Sequence, residues 1–134
     1  FMISLEEGVK LVWHAFDDMK GGEIYVKKIS SMKVTDIALA VDENTKQEEV
    51  GIRPGEKLHE QMIGIEDALY TYEYPENFKI LPSINDWAKD EARIGDGIRV
   101  PEDFTYTSNN NKEWMEISEL KEWIKKNKSK IGNI

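Results

Sequence analysis

The stretch Ser4-Leu5-Glu6-Glu7-Gly8-Val9-Lys10-Leu11-Val12-Trp13-His14-Ala15-Phe16-Asp17-Asp18-Met19, followed by Gly21-Gly22-Glu23-Ile24-Tyr25-Val26, sets the fold class. Ser4 and Glu7 have the spacing of a capping box, in which each side chain satisfies a backbone N–H of the other's turn. Leu5, Val9, Val12, Trp13, Phe16 and Met19 recur at helical spacing and make one apolar stripe. Glu6, Lys10 and Asp17 lie on the polar side. Gly21-Gly22 ends the helix, and Glu23 to Val26 predicts a short strand. A second helix is predicted after Ser31 or its neighbour as cap, with Val34, Ile37, Ala38 and Val41 inward. Glu49 to Ile52 predicts a further strand. This order of helix, strand, helix and strand indicates an α/β unit, expected to pack on a sheet outside this chain.

The remaining chain alternates less regularly. Ile65 to Leu69 predicts a helical turn, and Thr71 to Tyr74 and Phe78 to Leu81 predict strands bounded by Pro75 and Pro82. Asp86 to Arg93 predicts a short helix, Gly95-Asp96-Gly97 a turn, and Asp103 to Ser108 an extended run. Ser118 is expected to cap a final helix with Leu120, Trp123 and Ile124 inward. The basic tail Lys125 to Ile134 is expected to fray.

The 134 residues allow one modest domain with a core, and 40% hydrophobic content suits a globular chain. Eighteen basic and 26 acidic residues give a net charge of −8, which argues against a nucleic-acid surface. The absence of cysteine removes disulfides and thiolate chemistry and fits a reducing, cytoplasmic setting. With two histidines and no cysteine, no metal site is expected. His59-Glu60 lacks the second histidine of a zinc-protease motif, because position 63 is isoleucine. No apolar run approaches the ~20 residues that cross a bilayer.

Chemistry concentrates in Gly51-Ile52-Arg53-Pro54-Gly55-Glu56-Lys57-Leu58-His59-Glu60. Pro54-Gly55 turns the chain, and Lys57 to Met62 predicts a short helix. Arg53 can fork two N–H bonds onto a phosphate, and the helix N-terminus would favour the same anion. Glu56 can accept from sugar hydroxyls. A plain surface hairpin accounts for the turn equally well.

This run resembles the extended short-chain dehydrogenase/reductases that act on nucleotide sugars, and in its longer form the UDP-N-acetylglucosamine 4,6-dehydratases of the inverting, pseudaminic acid type. Gly22 to Val26, Ser31 to Ala38, Tyr72 to Tyr74, Phe78 to Ile80, Tyr106 to Trp114 and Ser118 to Leu120 extend the resemblance over nearly the whole chain. The resemblance implies a mixed α/β, C-terminal substrate-binding portion of a Rossmann enzyme. Residues 1–46 would end the Rossmann-type unit and residues 47–134 would bind the nucleotide sugar. It implies that Arg53 binds the UDP diphosphate and Glu56 the ribose, with Lys57 and Lys33 as further substrate-binding candidates and His59 as an outer one.

Family members are more than twice as long, and their glycine-rich loop and Tyr-x-x-x-Lys pair come first. Neither occurs here: Gly95-Asp96-Gly97-Ile98-Arg99-Val100 lacks the third glycine. The chain is therefore expected to be a C-terminal piece of a larger enzyme, inactive alone. NADP would be bound by the N-terminal half. In the parent reaction hydride leaves C4, water leaves C5 and C6, and hydride returns to C6. A retaining dehydratase or a capsule 4,6-dehydratase/5-epimerase is the alternative within the family. A stand-alone interaction module, docking through the Leu5–Met19 stripe, is the alternative outside it. In either case that stripe predicts self-association or helix rearrangement.

Overall fold

The computed structural model describes residues 1–131. Helix α1 (Leu5–Asp18) starts at Ser4, whose Oγ accepts from the Glu7 N–H while the Ser4 N–H donates to the Glu7 carboxylate. The capping box is therefore as the sequence predicts. Strand β1 (Ile24–Lys27) and helix α2 (Val34–Val41) follow. Next come β2 (Gln61–Ile63), a 3-10 helix over Ile65–Tyr70, β3 (Thr71–Glu73) and β4 (Asn77–Ile80). A 3-10 turn at Trp87–Lys89, helix α3 (Glu91–Ile94), β5 (Ile98–Arg99), β6 (Tyr106–Thr107) and helix α4 (Ile117–Ile131) complete the chain.

The main sheet has strand order β1-β4-β3-β5, with every pair antiparallel. Alternation along β4 sorts the chemistry between two faces. Phe78 pairs with Val26 and Ile80 with Ile24. Phe78, Ile80 and Val26 join Ile63, Ala68, Val100 and Tyr106 in the core. On the opposite face Lys79 is flanked by Tyr25 and Tyr72. Lys79 is 4% exposed because its ammonium lies between the Tyr25 and Tyr74 rings and reaches Asp18 of α1 at 2.8 Å. The Tyr25 hydroxyl donates to the same carboxylate. This shared carboxylate fastens the C-terminal end of α1 to the sheet.

A second polar seam joins β1 to the C-terminal segment. The Tyr106 hydroxyl accepts from the Ile29 N–H at 2.9 Å and donates to the Ile29 carbonyl at 3.0 Å. Asn111 Nδ2 donates to the Ile29 carbonyl, Ser31 Oγ and the Glu113 carbonyl. Ser31 is fully buried and forms a parallel bridge with Trp114. Ser31 thus does not cap α2. The N-cap is Lys33, without a side-chain bond, because the Ser31 backbone is already paired with Glu113 and Met115.

Other predictions also change. Val34 and Val41 are 82% and 49% exposed, not inward, because α2 turns a different side toward α4. No strand forms at residues 49–52 and no helix at 57–62. The Glu60 N–H donates to Ser108 Oγ and its carbonyl accepts from the Ser108 N–H. Gln61 and Ile63 then pair with β6, so this segment is extended. Strand structure within 103–108 is limited to Tyr106–Thr107. The helix expected over 86–93 splits at Asp90, which caps α3 through the Ala92 N–H. Ser118 lies inside the first turn of α4, which begins at Ile117, while Leu120 is fully buried as expected. Residues 125–131 of the tail are helical, and the rest of it lies outside the described residues.

Among the described residues the apolar stripe of α1 stays largely uncovered. Leu5, Trp13 and Phe16 are 86%, 65% and 60% exposed, and no residue of α1 is buried.

Candidate functional site

The loop between α2 and β2 carries the predicted site. Gly51 and Gly55 adopt φ of +79° and +87°, a region that a side chain disfavours. With Pro54 fixing the preceding φ, Gly55 lets the chain reverse between Arg53 and Glu56. The Glu56 N–H donates to the Arg53 carbonyl at 3.0 Å and closes the turn. The Glu56 carboxylate then folds back. One oxygen accepts from the Arg53 backbone N–H and the other from Arg53 Nε, each at 2.8 Å.

Arg53 and Glu56 are therefore brought together. The Arg53 side chain remains 85% exposed, and its terminal N–H₂ groups face solvent. Lys57 and His59 lie on the same exposed loop, and Lys33 is exposed at the start of α2. None of these three enters the clamp. Because residues 57–62 are not helical, no helix N-terminus reinforces Arg53 as an anion site. Ile52 and Leu58 are exposed beside it.

The Gly95–Gly97 run does not fit a dinucleotide. Such a loop leads from a strand into a helix, whereas this one leads from α3 into β5. A Cβ at Gly97 would lie 2.5 Å from the Tyr74 ring. This glycine makes room for Tyr74, whose hydroxyl donates to the Ile94 carbonyl at 2.6 Å, rather than for a phosphate. Among the described residues no cluster of His, Cys, Asp or Glu could hold a metal. No described helix is long and apolar enough to cross a membrane.

Two buried groups escape sequence reasoning. Glu23 and Arg93 pair with side chains only 2% and 8% exposed, and Arg93 lies over the Trp87 ring at 4.0 Å. Burial pushes the Glu23 carboxyl up. Bonds from the backbone N–H groups of Glu23 itself, Lys20 and Gly21, together with the Arg93 charge, outweigh it and leave the carboxyl below its ordinary value. Lys79 is the other group. Its sequence signal is a single cation inside an otherwise apolar run, Phe78-Lys79-Ile80-Leu81.

The sequence pattern of the polysaccharide biosynthesis protein family matches residues 1–82. A UDP-N-acetylglucosamine 4,6-dehydratase (inverting) of Campylobacter jejuni is 46% identical over 129 residues, 92% of this chain and 39% of that protein. A UDP-glucose 4-epimerase of Rickettsia rickettsii is 30% identical over 92% of this chain and 37% of its own. The X-ray structure of Pen from Bacillus thuringiensis superposes with a TM-score of 0.75 at 27% identity, covering 96% of this chain and 38% of that one. The chain thus spans about two fifths of the length of the curated relatives it matches. It belongs to the polysaccharide biosynthesis protein family and is homologous to the C-terminal portion of inverting UDP-N-acetylglucosamine 4,6-dehydratases.

Proposed function

We propose that this chain is the nucleotide-sugar-anchoring portion of an inverting UDP-N-acetylglucosamine 4,6-dehydratase that makes a 4-keto-6-deoxy sugar nucleotide for a surface glycan of the pseudaminic acid type. The observation that carries this reading is the 46% identity over 92% of the chain to a relative of that name. The exposed Arg53 guanidinium supports it. Its free N–H₂ pair has the geometry to grip a diphosphate oxygen, and a charge-assisted fork of this kind is among the stronger hydrogen bonds. Arg53, Glu56, Lys57 and Lys33 are the proposed substrate-binding set.

Binding energy gathered here would hold the sugar in place for chemistry elsewhere, the usual contribution of a positioning subsite. By the same reading NADP is bound by the N-terminal portion of a full-length enzyme. The chain alone is expected to turn over no UDP-N-acetylglucosamine. UDP titrated into the wild-type chain and Arg53→Ala tests the reading. Loss of about tenfold or more in affinity is expected from losing a charge-assisted fork. Equal binding by both would overturn the role of Arg53. Product stereochemistry from a full-length enzyme would separate an inverting enzyme from a retaining one.

A second reading rests on the uncovered stripe of α1. A compact monomer of 15.5 kDa exposes about 7,200 Å². This chain exposes 9873 Å². In this reading α1 is a docking face, and a second copy of the chain is the occupant we propose. The two readings compete for the stripe: in a full-length enzyme it would pack on the Rossmann portion outside this chain, and in this reading a second copy covers it.

A further inference from the structure

We infer that two copies of this chain pair through α1, antiparallel about a two-fold axis, with Trp13 and Phe16 of each seated in a cleft of the other. This rests on the reading of α1 as a docking face for a second copy, and gives that face its geometry. The stripe has two unlike ends. Near its C-terminal end Trp13 and Phe16 stand exposed, with ring centroids 6.3 Å apart. Near its N-terminal end Leu5 and Val9 border a cleft of about 730 Å³, lined also by Ile3 and by Trp123 of α4. The lining of this cleft is mainly apolar. One helix thus carries both a projection and a recess.

The two ends can satisfy each other only between copies that run in opposite directions. In an isologous pair, residue i meets j and j meets i. An α-helix rises about 1.5 Å per residue, so Leu5 and Phe16 lie roughly 16 Å apart along α1. Turning one copy end for end about their midpoint lays Phe16 over Leu5 of the other copy, and Val12 over Val9. Trp13 then comes level with Gly8, beside the recess. The sideways direction fits as well. At about 100° per residue, Trp13 leans to the side of the stripe that carries Glu6 and Lys10. Those two residues line the cleft together with Trp123. A two-fold axis across the helices keeps this side of both copies together, so each Trp13 points toward the other copy's α4. A parallel pair would set Trp13 against Trp13 and leave both recesses unfilled. The antiparallel order also places each helix N-terminus beside the other's C-terminus, where the dipoles favour it.

The available area is sufficient. The chain exposes 9873 Å², against about 7,200 Å² for a compact monomer of its 15.5 kDa. The difference exceeds the roughly 800 Å² that each partner buries in a specific interface.

The chain has no cysteine, so single introduced cysteines report the pairing. Leu5→Cys and Phe16→Cys should cross-link to each other through a short bismaleimide when the two variants are mixed, and neither should cross-link alone. Trp13→Ala should raise the dimer dissociation constant by about 30-fold or more, as expected of a buried aromatic anchor. Ile98→Ala, which trims an exposed apolar residue of β5, should leave it unchanged. Leu5→Cys linking to itself would mean parallel pairing and overturn the inference, while the docking face would stand. Association without a link between the two variants, or an unchanged constant in Trp13→Ala, would overturn it in the same way. A chain that stays monomeric at high concentration would remove the docking face and the pairing with it.

Discussion

Tyr106 closes a buried junction with one atom. Its hydroxyl serves both the N–H and the carbonyl of Ile29, and burial pushes its pKa up. Tyr106→Phe keeps the ring contacts with Phe1 and Phe78 but leaves two backbone groups without that partner. The expected cost is about 2 kcal/mol, read from the urea midpoint with an unchanged slope. This residue also marks where the sequence stops being informative. Asn109, Asn110 and Asn111 look alike, and the first two do form a local turn around Thr107. Asn111 instead reaches Ile29 and Ser31, some 80 positions away. No local pattern separates the three, because the difference lies in the partner. The Arg53–Glu56 pairing spans only four consecutive residues, yet the sequence reading assigned Glu56 to sugar hydroxyls and did not anticipate it.

At the scale of elements, α1 is readable because its cap and its apolar spacing are local. Its orientation is not readable, because it depends on Asp18 meeting Lys79, 61 positions on. Likewise residues 57–62 have helix-compatible side chains, but Glu60 is claimed by Ser108, 48 positions away, and the segment extends. The docking of α1 predicts an acid-sensitive attachment. Burial pushes the Asp18 carboxyl up, but hydrogen bonds from Lys79 and Tyr25 and the nearby charges of Lys79 and His14 hold it below its ordinary 3.8. A carboxyl lowered on folding contributes stability above its unfolded value and loses it as pH falls through the folded one. Glu23 acts in the same direction below its ordinary 4.5. Stability should therefore hold from pH 7 to pH 5 and fall below about pH 4. Asp18→Asn should cost about 1 kcal/mol at pH 7, given partial exposure, and should flatten the acid limb. Denaturant midpoints of both proteins at pH 7, 5 and 3 check this. An acid limb of unchanged steepness in Asp18→Asn would rule out the Asp18 anchor.

The whole molecule has a small core for its length, since α1 adds nothing buried to it. The 14 residues of α1 contribute instead a row of aromatic and aliphatic side chains on the outside. Patches of this kind rarely persist in water without a partner. Sedimentation velocity should show mass-dependent association of the wild-type chain. The double variant Trp13→Lys with Phe16→Lys should move it toward monomer without lowering helicity, because neither side chain is packed in the core. A wild-type chain that stays monomeric at high concentration would refute association through this face.

The pairing of β1 with β4, and of α2 with α4, bridges the long segment from Asp42 to Glu60. Residues before that segment and residues after it are held together by sheet bonds and helix packing, so the covalent link between them is not what keeps them adjacent. A single protease cut beside Gly55 should leave a two-piece assembly that co-elutes on a sizing column and refolds when its halves are mixed. The loop between α2 and β2 could then be replaced with another sequence while its support stays intact, much as a cartridge is changed in a fixed holder.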